Sequence, residues 1–445
     1  MRKNPVITIA GAGSLRIPAL IGSLIYYKET LPVAKIILFD IDEERLQRVR
    51  AYIDLTLKEY YSEAEVLFTT KEEEAYGDTD YVLCNMRVGV DTMRSVDEKI
   101  PLKYGLVGQE TCGPGGFSYG MRSIGAMIDM VNTVRTYSKD TWILNYTNPA
   151  AIVAVALDKV FPEDKRIMNI CDQPYSMIKS FAKILGEDMY DLEPRYFGLN
   201  HFGWFTSLKN AKTGEELLPK LKDYLMGHEF KPFNAEQRDP SWLKTYKNVN
   251  KLMQFFPEYV PNTYLQYYFF AEEIVQDSDP SFTRVDEAKL GREKKVLDIL
   301  KKAETQGNLT DIPLMQGEVF GNLMVEVVDS IHNDLNKVFV VIGRNGDLIP
   351  NLPEDAMVEL ASYLGKEGAK MIPYGEVKPF YKGLIEGQYA YEKLTVESYL
   401  EKDYTKALQA LTLNRSIVDP VKAKLVLDDL MDHSADYWAL EKKEL

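Results

Sequence analysis

The sequence predicts an α/β chain: a doubly wound parallel sheet followed by a mixed, helix-rich α+β part. Three observations carry the prediction. Short apolar runs alternate with helical patterns over the first 170 or so residues, the rhythm of a parallel sheet covered on both faces. A glycine turn, Gly11-Ala12-Gly13-Ser14, joins the first run to a helical pattern. After residue 195 the alternation stops and helices dominate, which divides the chain into domains at 1–195 and 196–445.

Each element follows from local pattern. Residues 6–10, Val-Ile-Thr-Ile-Ala, are a buried strand, and 17–27 an apolar helix. Residues 35–40 form a second strand ending in Asp40, and 43–60 space their apolar positions as a helix does. Strands follow at 66–70 and 81–85, a helix at 92–104, and a glycine-rich loop at 113–116. A long helix over 119–137 precedes strands at 142–146 and 166–170. A helix is expected to begin at Pro174, because proline lacks an N–H that a first turn leaves unpaired anyway. In the second part, 323–329 and 337–342 read as a pair of strands, and Asn345-Gly346 as a turn. No repeat, low-complexity tract or flexible linker separates the halves, so they are expected to pack closely.

Bulk composition excludes several classes. A net charge of −14 argues against a nucleic-acid partner, which needs a basic face. Apolar content of 45% with 27% charged is ordinary for a globular chain. Three cysteines, Cys84, Cys112 and Cys171, suit a reducing compartment without disulfides. The start runs straight into a strand, and no stretch reaches the roughly 18 apolar residues of a membrane span, so a cytoplasmic protein without membrane contact is expected.

A strand, Gly11-x-Gly13, a helix and an acid closing the second strand make a dinucleotide-binding arrangement, so the sheet is Rossmann-like. Gly11, Gly13 and Ser14 would approach a pyrophosphate, and Asp40 would accept from the adenosine ribose, which favours NAD over its phosphorylated form. Two departures are visible. Arg16 stands at the third glycine position, and Asp40 lies further on than the usual spacing of about 20 residues. The same turn also occurs in flavodoxin-like sheets that hold no cofactor.

A second concentration of chemistry lies at Asn169-Ile170-Cys171-Asp172-Gln173-Pro174 and Gly198-Leu199-Asn200-His201-Phe202-Gly203-Trp204. Thiol and imidazole together suit a divalent transition metal, although a buried, inert cysteine beside a helix-entry aspartate gives the same pattern. Arg87, Arg94 and Arg122 follow the fourth strand, and Arg284 lies in Ser281-Phe282-Thr283-Arg284. Guanidinium forks are what a phosphate ester wants. Asn148, at the carboxyl end of the fifth strand, faces the crevice of such a sheet. The aromatic cluster Pro261-Asn262-Thr263-Tyr264-Leu265-Gln266-Tyr267-Tyr268 could equally be a core segment.

Taken together with Val107-Gly108-Gln109-Glu110-Thr111-Cys112-Gly113-Pro114-Gly115-Gly116 and Asn145-Tyr146-Thr147-Asn148-Pro149-Ala150, these stretches resemble glycoside hydrolase family 4, whose members use NAD and a divalent metal. The resemblance spans nearly the whole chain. It implies that Cys171 and His201 ligate Mn²⁺, with Fe²⁺, Co²⁺ or Ni²⁺ as substitutes. It implies Tyr264 as the base at the sugar C2, Glu110 as a carboxylate that raises the basicity of that tyrosine, and Asp172 as the acid on the leaving oxygen. Arg94, Asn148 and Arg284 match positions that hold a phosphosugar. Cys171-Asp172-Gln173-Pro174 is similar to the Cys-Asp-Met-Pro of members acting on 6-phospho-α-glucosides, with Gln173 a departure that bears on the aglycone. A 6-phospho-β-glucosidase is the alternative within the family. The second domain is then expected to complete the substrate site and to support a homodimer or homotetramer.

Two other readings remain at this stage. An NAD-dependent 2-hydroxy acid dehydrogenase is built on a similar sheet and would yield net NADH. A non-catalytic sugar-phosphate sensor would bind without turnover, though intact Cys171, Asp172, His201 and Tyr264 argue against it.

Overall fold

A single mixed sheet runs through the molecule from one edge to the other. The computed structural model describes residues 2–317 and 319–442. Its strands are β1 (Val6–Ala10), β2 (Lys35–Phe39), β3 (Glu65–Thr69), β4 (Tyr81–Cys84), β5 (Trp142–Asn145), β6 (Ile167–Ile170), β7 (Leu192–Leu199), β8 (Phe202–Asn210), β9 (Val260–Pro261), β10 (Lys337–Arg344), β11 (Met357–Gly365) and β12 (Gly368–Met371). The order across the sheet is β3-β2-β1-β4-β5-β6-β10-β11-β7-β8-β9, with β12 on β11. The first six pair in parallel, in the doubly wound dinucleotide-binding order.

Why these runs are strands is plain from burial. Every residue of β1 is buried, and its alternate side chains enter different cores. Ile7 and Ile9 join Leu38, Leu83 and Leu144 against the helix Ile17–Tyr26. Val6 and Ala10 join Ile37, Val82 and Ile143 against the helix Gly113–Tyr137. A strand covered on both faces reads as a continuous apolar run rather than an alternating one.

The expected close packing of the halves is found. Antiparallel β10 pairs with β6, Val341 opposite Ile170 and Ile342 opposite Asn169, so the later strands extend the first sheet instead of starting another. The strand β7 itself spans residue 195. The terminal helices Pro379–Glu401, Tyr404–Leu413 and Pro420–His433 return to the first half, where Tyr391, Leu411 and Leu427 share a core with Phe117 and Ile124.

Three local expectations are corrected. Residues 323–329 are not a strand; they lie inside the helix Val319–His332. All residues from Val319 to Ile331 are buried, the polar stripe Asn322, Glu326, Asp329 and Ser330 included, and the short apolar runs beside that stripe do not by themselves tell a helix from a strand. Residues 113–116 are not a loop but the first turn of the helix Gly113–Tyr137. A Cβ on Gly115 would stand 2.3 Å from the Gln109 carbonyl and 2.5 Å from that of Asp97, so the glycines let this helix start hard against its neighbour. Finally, the helix near Pro174 begins earlier, at Asp172, with Cys171 as its N-cap. Among the described residues no helix is long and apolar enough to cross a membrane.

Candidate active site

The carboxyl ends of the parallel strands open into a cavity of about 990 Å³. Gly11, Ser14, Asp40, Arg94, Glu110, Asn148, Cys171, Asp172, His201, Tyr264 and Arg284 all line it, so nearly every residue singled out in the sequence meets there. Gly13, Gln173 and Arg122 are the exceptions, and Gly13 lies just behind the wall. Its N–H donates to Asp40 Oδ2 at 2.8 Å, and a Cβ at this position would stand 2.9 Å from the same oxygen. Gly11 takes φ +85°, the left-handed turn that opens the loop. Asp40 is buried, also accepts the Asp42 N–H at 3.1 Å, and lies 3.9 Å from Arg45. This end of the cavity is a glycine cradle above an acid, the donor and acceptor set that fits a dinucleotide.

Arg16 explains its departure from the glycine pattern. Its guanidinium lies over the Phe320 ring at 3.9 Å, donates to the Tyr146 hydroxyl at 3.4 Å and lies 3.9 Å from Asp172 Oδ2. It therefore ties the glycine loop to the other end of the cavity. Tyr146 is another participant that no local signal marked; burial raises its hydroxyl well above the ordinary value, Arg16 pulls it back, and Asp172 adds to the rise.

At that other end the hairpin β7–β8 turns through Asn200 and His201 alone, with Leu199 opposite Phe202. The turn holds His201 at φ +63°, and its Nε2 comes 3.4 Å from Cys171 Sγ. Both side chains are buried. Burial pushes the imidazole down to about 3, so it is neutral with a free lone pair. Burial, then Glu359 and Asp172, push the Cys171 thiol well above its ordinary range, against the pull of the Gln173 N–H and of Asn200. A thiol so placed stays protonated until a cation takes the proton's place. Among the described residues no group of three or more His, Cys, Asp or Glu side chains could hold a metal, so Cys171 and His201 make an open, two-donor site. A closed structural zinc site has four protein ligands. An open pair leaves positions for water or substrate oxygens, and the soft sulfur suits a late divalent ion.

Tyr264 stacks on His201 with ring centroids 3.7 Å apart and planes 5° from parallel. Its N–H donates to Asn262 Oδ1 at 3.0 Å, which fixes the turn. Burial and then Tyr267 raise its hydroxyl well above the ordinary value, while Arg284 pulls it back. Gln173 does not face the cavity. It is buried and donates to Thr263 Oγ1 at 2.6 Å, tying the Cys171 helix to the Tyr264 turn.

The arginines sort by position. Arg94, nearly buried, donates to Glu98 Oε1 at 2.8 Å and lies 2.8 Å from Glu110 Oε2, which also pairs with Arg87. Arg284 lies over Trp242 at 4.7 Å, and the next residue's N–H donates to Glu98 Oε2 at 2.7 Å. Burial works to raise the Glu110 carboxyl, but Arg87, Arg94 and Arg284 outweigh it and leave it down at about 2. Three guanidinium groups thus meet Glu98 and Glu110, with Asp91, Arg292 and Glu293 on the same wall. Arg122, by contrast, is spent in a buried pair with Asp97 and Ser118 and does not line the cavity. Glu110 is engaged by arginines, and among the described residues it makes no hydrogen bond to Tyr264.

Comparisons with known proteins agree with this geometry. The model of the family 4 glycosyl hydrolases matches residues 6–187, and that of the family 4 glycosyl hydrolase C-terminal domain matches residues 196–417. The chain is 43% identical to the phospho-alpha-glucosidase PagL of Clostridium acetobutylicum over 98% of its own length and 99% of the relative's. It is 39% identical to the maltose-6'-phosphate glucosidase of Bacillus subtilis over 98% and 97%. A crystal structure of a 6-phospho-alpha-glucosidase from gut microorganisms, in complex with NAD and Mn²⁺, superposes with a TM-score of 0.95 at 41% identity, covering 99% of this chain and 100% of that one. With both halves matched in order and relatives alike along their whole length, the chain belongs to glycoside hydrolase family 4.

Proposed function

We propose that this enzyme hydrolyses 6-phospho-α-glucosides, such as maltose 6'-phosphate, to glucose 6-phosphate, using NAD and a divalent metal. One observation carries the reading: Cys171, His201, Tyr264 and Asp172 line the same cavity as the Arg87–Arg94–Arg284 cluster. When bound, the dinucleotide and the cation supply reversible oxidation at the sugar C3 and a Lewis acid that makes the C2 proton labile. Mn²⁺ is the proposed ion, with Fe²⁺, Co²⁺ or Ni²⁺ able to replace it at a thiolate-imidazole pair.

The chain's own residues do the rest. Gly11, Gly13 and Ser14 seat the pyrophosphate and Asp40 the ribose. Cys171 and His201 hold the metal. Arg94, Asn148 and Arg284 bind the sugar phosphate, whose oxygens suit guanidinium forks. Tyr264 takes the C2 proton; a cation beside its stacked partner His201 reverses the upward push of burial on its hydroxyl. Asp172, between Arg16 and Tyr146, delivers a proton to the leaving oxygen. Glu110 acts on Tyr264 through the arginines it holds. Residues 1–195 thus hold the cofactor and also bring Arg94, Glu110, Asn148, Cys171 and Asp172 to the sugar site, and 196–445 close that site with His201, Tyr264 and Arg284 and carry the homodimer or homotetramer contacts. Apolar side chains left exposed at Leu413, Val421 and Leu425 support such an assembly. The balance of acidic residues and the absence of a membrane-spanning helix among the described residues fit a cytoplasmic enzyme without nucleic-acid partners.

The test compares 4-nitrophenyl α- and β-glucoside 6-phosphates with the unphosphorylated α-glucoside, with and without NAD⁺ and Mn²⁺. Turnover of the α-phosphate alone, and only with both additions, is expected. Preference for the β anomer would move the enzyme to the other branch, and net NADH from a hydroxy acid would replace the reading.

A further inference from the structure

Beneath the Cys171–His201 pair lies a buried polar layer that the proposed reaction does not use. Glu359 sits wholly buried in the middle of β11, an acid inside an apolar run. Asn200 Nδ2 donates to its Oε1 at 2.9 Å. Asn200 also immediately precedes His201 in the two-residue β7–β8 turn, and its carboxamide pulls the Cys171 thiol down against burial. An amide nitrogen carries two hydrogens, so one carboxamide serves both the carboxyl and the sulfur. Glu359 Oε2 has no hydrogen-bond partner at ordinary geometry, and the Tyr196 hydroxyl is its neighbour. Asn262 Nδ2 donates to that hydroxyl at 3.1 Å, while Asn262 Oδ1 accepts the Tyr264 N–H. A layer of buried polar groups therefore lies between the Cys171–His201 pair and the backbone of Tyr264.

We propose that Glu359 is a positioning residue for the metal centre. By accepting one N–H of Asn200 it turns the carboxamide so that the other faces the Cys171 sulfur, and through Tyr196 and Asn262 it steadies the turn that carries Tyr264. Burying a carboxyl in a strand core is costly where an aliphatic side chain would pack without penalty, and the relay accounts for its presence. This inference rests on Cys171 being a metal ligand.

The experiment is a Mn²⁺ titration of the NAD-loaded enzyme, with free Mn²⁺ read by electron paramagnetic resonance and folding checked by circular dichroism. Glu359→Ala and Asn200→Ala should each weaken Mn²⁺ binding by roughly 10- to 100-fold. Glu359→Gln, which keeps an acceptor, should stay close to the parent. The double Ala variant should be no weaker than Asn200→Ala alone, because both break one relay. A folded Glu359→Ala variant with parental affinity, or additive losses in the double variant, overturns the proposal. If Glu359→Ala does not fold, Asn200→Ala decides: unchanged affinity overturns the relay and a loss in the stated range supports it. Cys171→Ser separates the two levels. If it abolishes Mn²⁺ binding while Glu359→Ala changes nothing, only the relay fails. If Mn²⁺ binding ignores Cys171→Ser, the metal-site reading fails and takes the relay with it.

Discussion

At the dinucleotide end of the cavity the polar groups already have protein partners, whereas at the sugar end the Cys171 thiol and the Tyr264 hydroxyl are held away from their reactive charge states. Gly13 and Asp42 both donate to Asp40 before any ligand arrives. Across the cavity the Cys171 thiol and the Tyr264 hydroxyl are both pushed up by burial, and His201 is pushed down to about 3. The first end is a shape made by backbone, ready for a ligand. The second stores uncharged groups that a cation converts to ligand and base. A carboxylate that is down at about 2, Glu110, survives there only because arginines surround it.

That contrast is broken first by Cys171→Ser. Losing a Lewis acid worth several kcal/mol should lower kcat/KM by about 10³-fold or more, with metal content falling in step. Asp172→Asn should come next. Removing a general acid typically costs 10²- to 10⁴-fold, and here the loss should be large on a disaccharide phosphate and much smaller on a nitrophenyl glycoside. Equal losses on both would deny the acid role. At the opposite end Asp40→Ala should weaken NAD binding by only about tenfold, in line with one charged hydrogen bond of roughly 1.5–3 kcal/mol partly replaced by water. An Asp40 effect as large as that of Cys171 would erase the distinction between the two ends.

What was readable in the sequence follows the same division. Gly11, Gly13, Ser14 and Asp40 belong to one strand-turn-helix unit with its neighbouring strand, so local order reveals them. Cys171 and His201 stand out as a thiol and an imidazole suited to a metal, and the role of Tyr264 comes from a family resemblance; no local spacing brings the residues after β6, in the β7–β8 turn and after β9 to one point. Only the pairing of β10 with β6, and of β7 with β11, does that. Arg122 stands among several arginines after the fourth strand, and its pairing with Asp97 sets it apart from those at the cavity, since sequence does not tell a paired arginine from a free one. The helix Val319–His332 reads in part as a strand because a short apolar run such as Leu323–Val325 does not by itself separate the two. Glu359 did leave a trace, a lone acid in Met-Val-Glu-Leu-Ala, that nothing local explained.

The smallest expected effect sharpens what partners do for a buried carboxyl. Glu392 is as buried as Glu110 is enclosed, but its hydrogen-bond partner is the neutral Gln388, at 2.8 Å, and burial raises it to about 8. Between the unfolded value near 4.5 and about 8 the folded state therefore holds a proton that the unfolded state has lost. Stability falls as pH rises through that window, by at most about 1.4 kcal/mol per unit. Glu392→Gln should remove this slope, so its Tm relative to the parent should climb from pH 5 to pH 8. A constant difference would show that the carboxyl ionises freely. Glu110 has the opposite sign: its contribution is present above about 4.5 and is lost as pH falls toward about 2.

Removal of the C2 proton by Tyr264 is the step on which the account stands, and hydrolysis in D₂O measures it directly. Maltose 6'-phosphate turned over with NAD⁺ and Mn²⁺ should release glucose 6-phosphate carrying deuterium at C2, seen by proton NMR as loss of that signal, and Tyr264→Phe should abolish both turnover and exchange. Full turnover with the C2 proton retained would contradict the account.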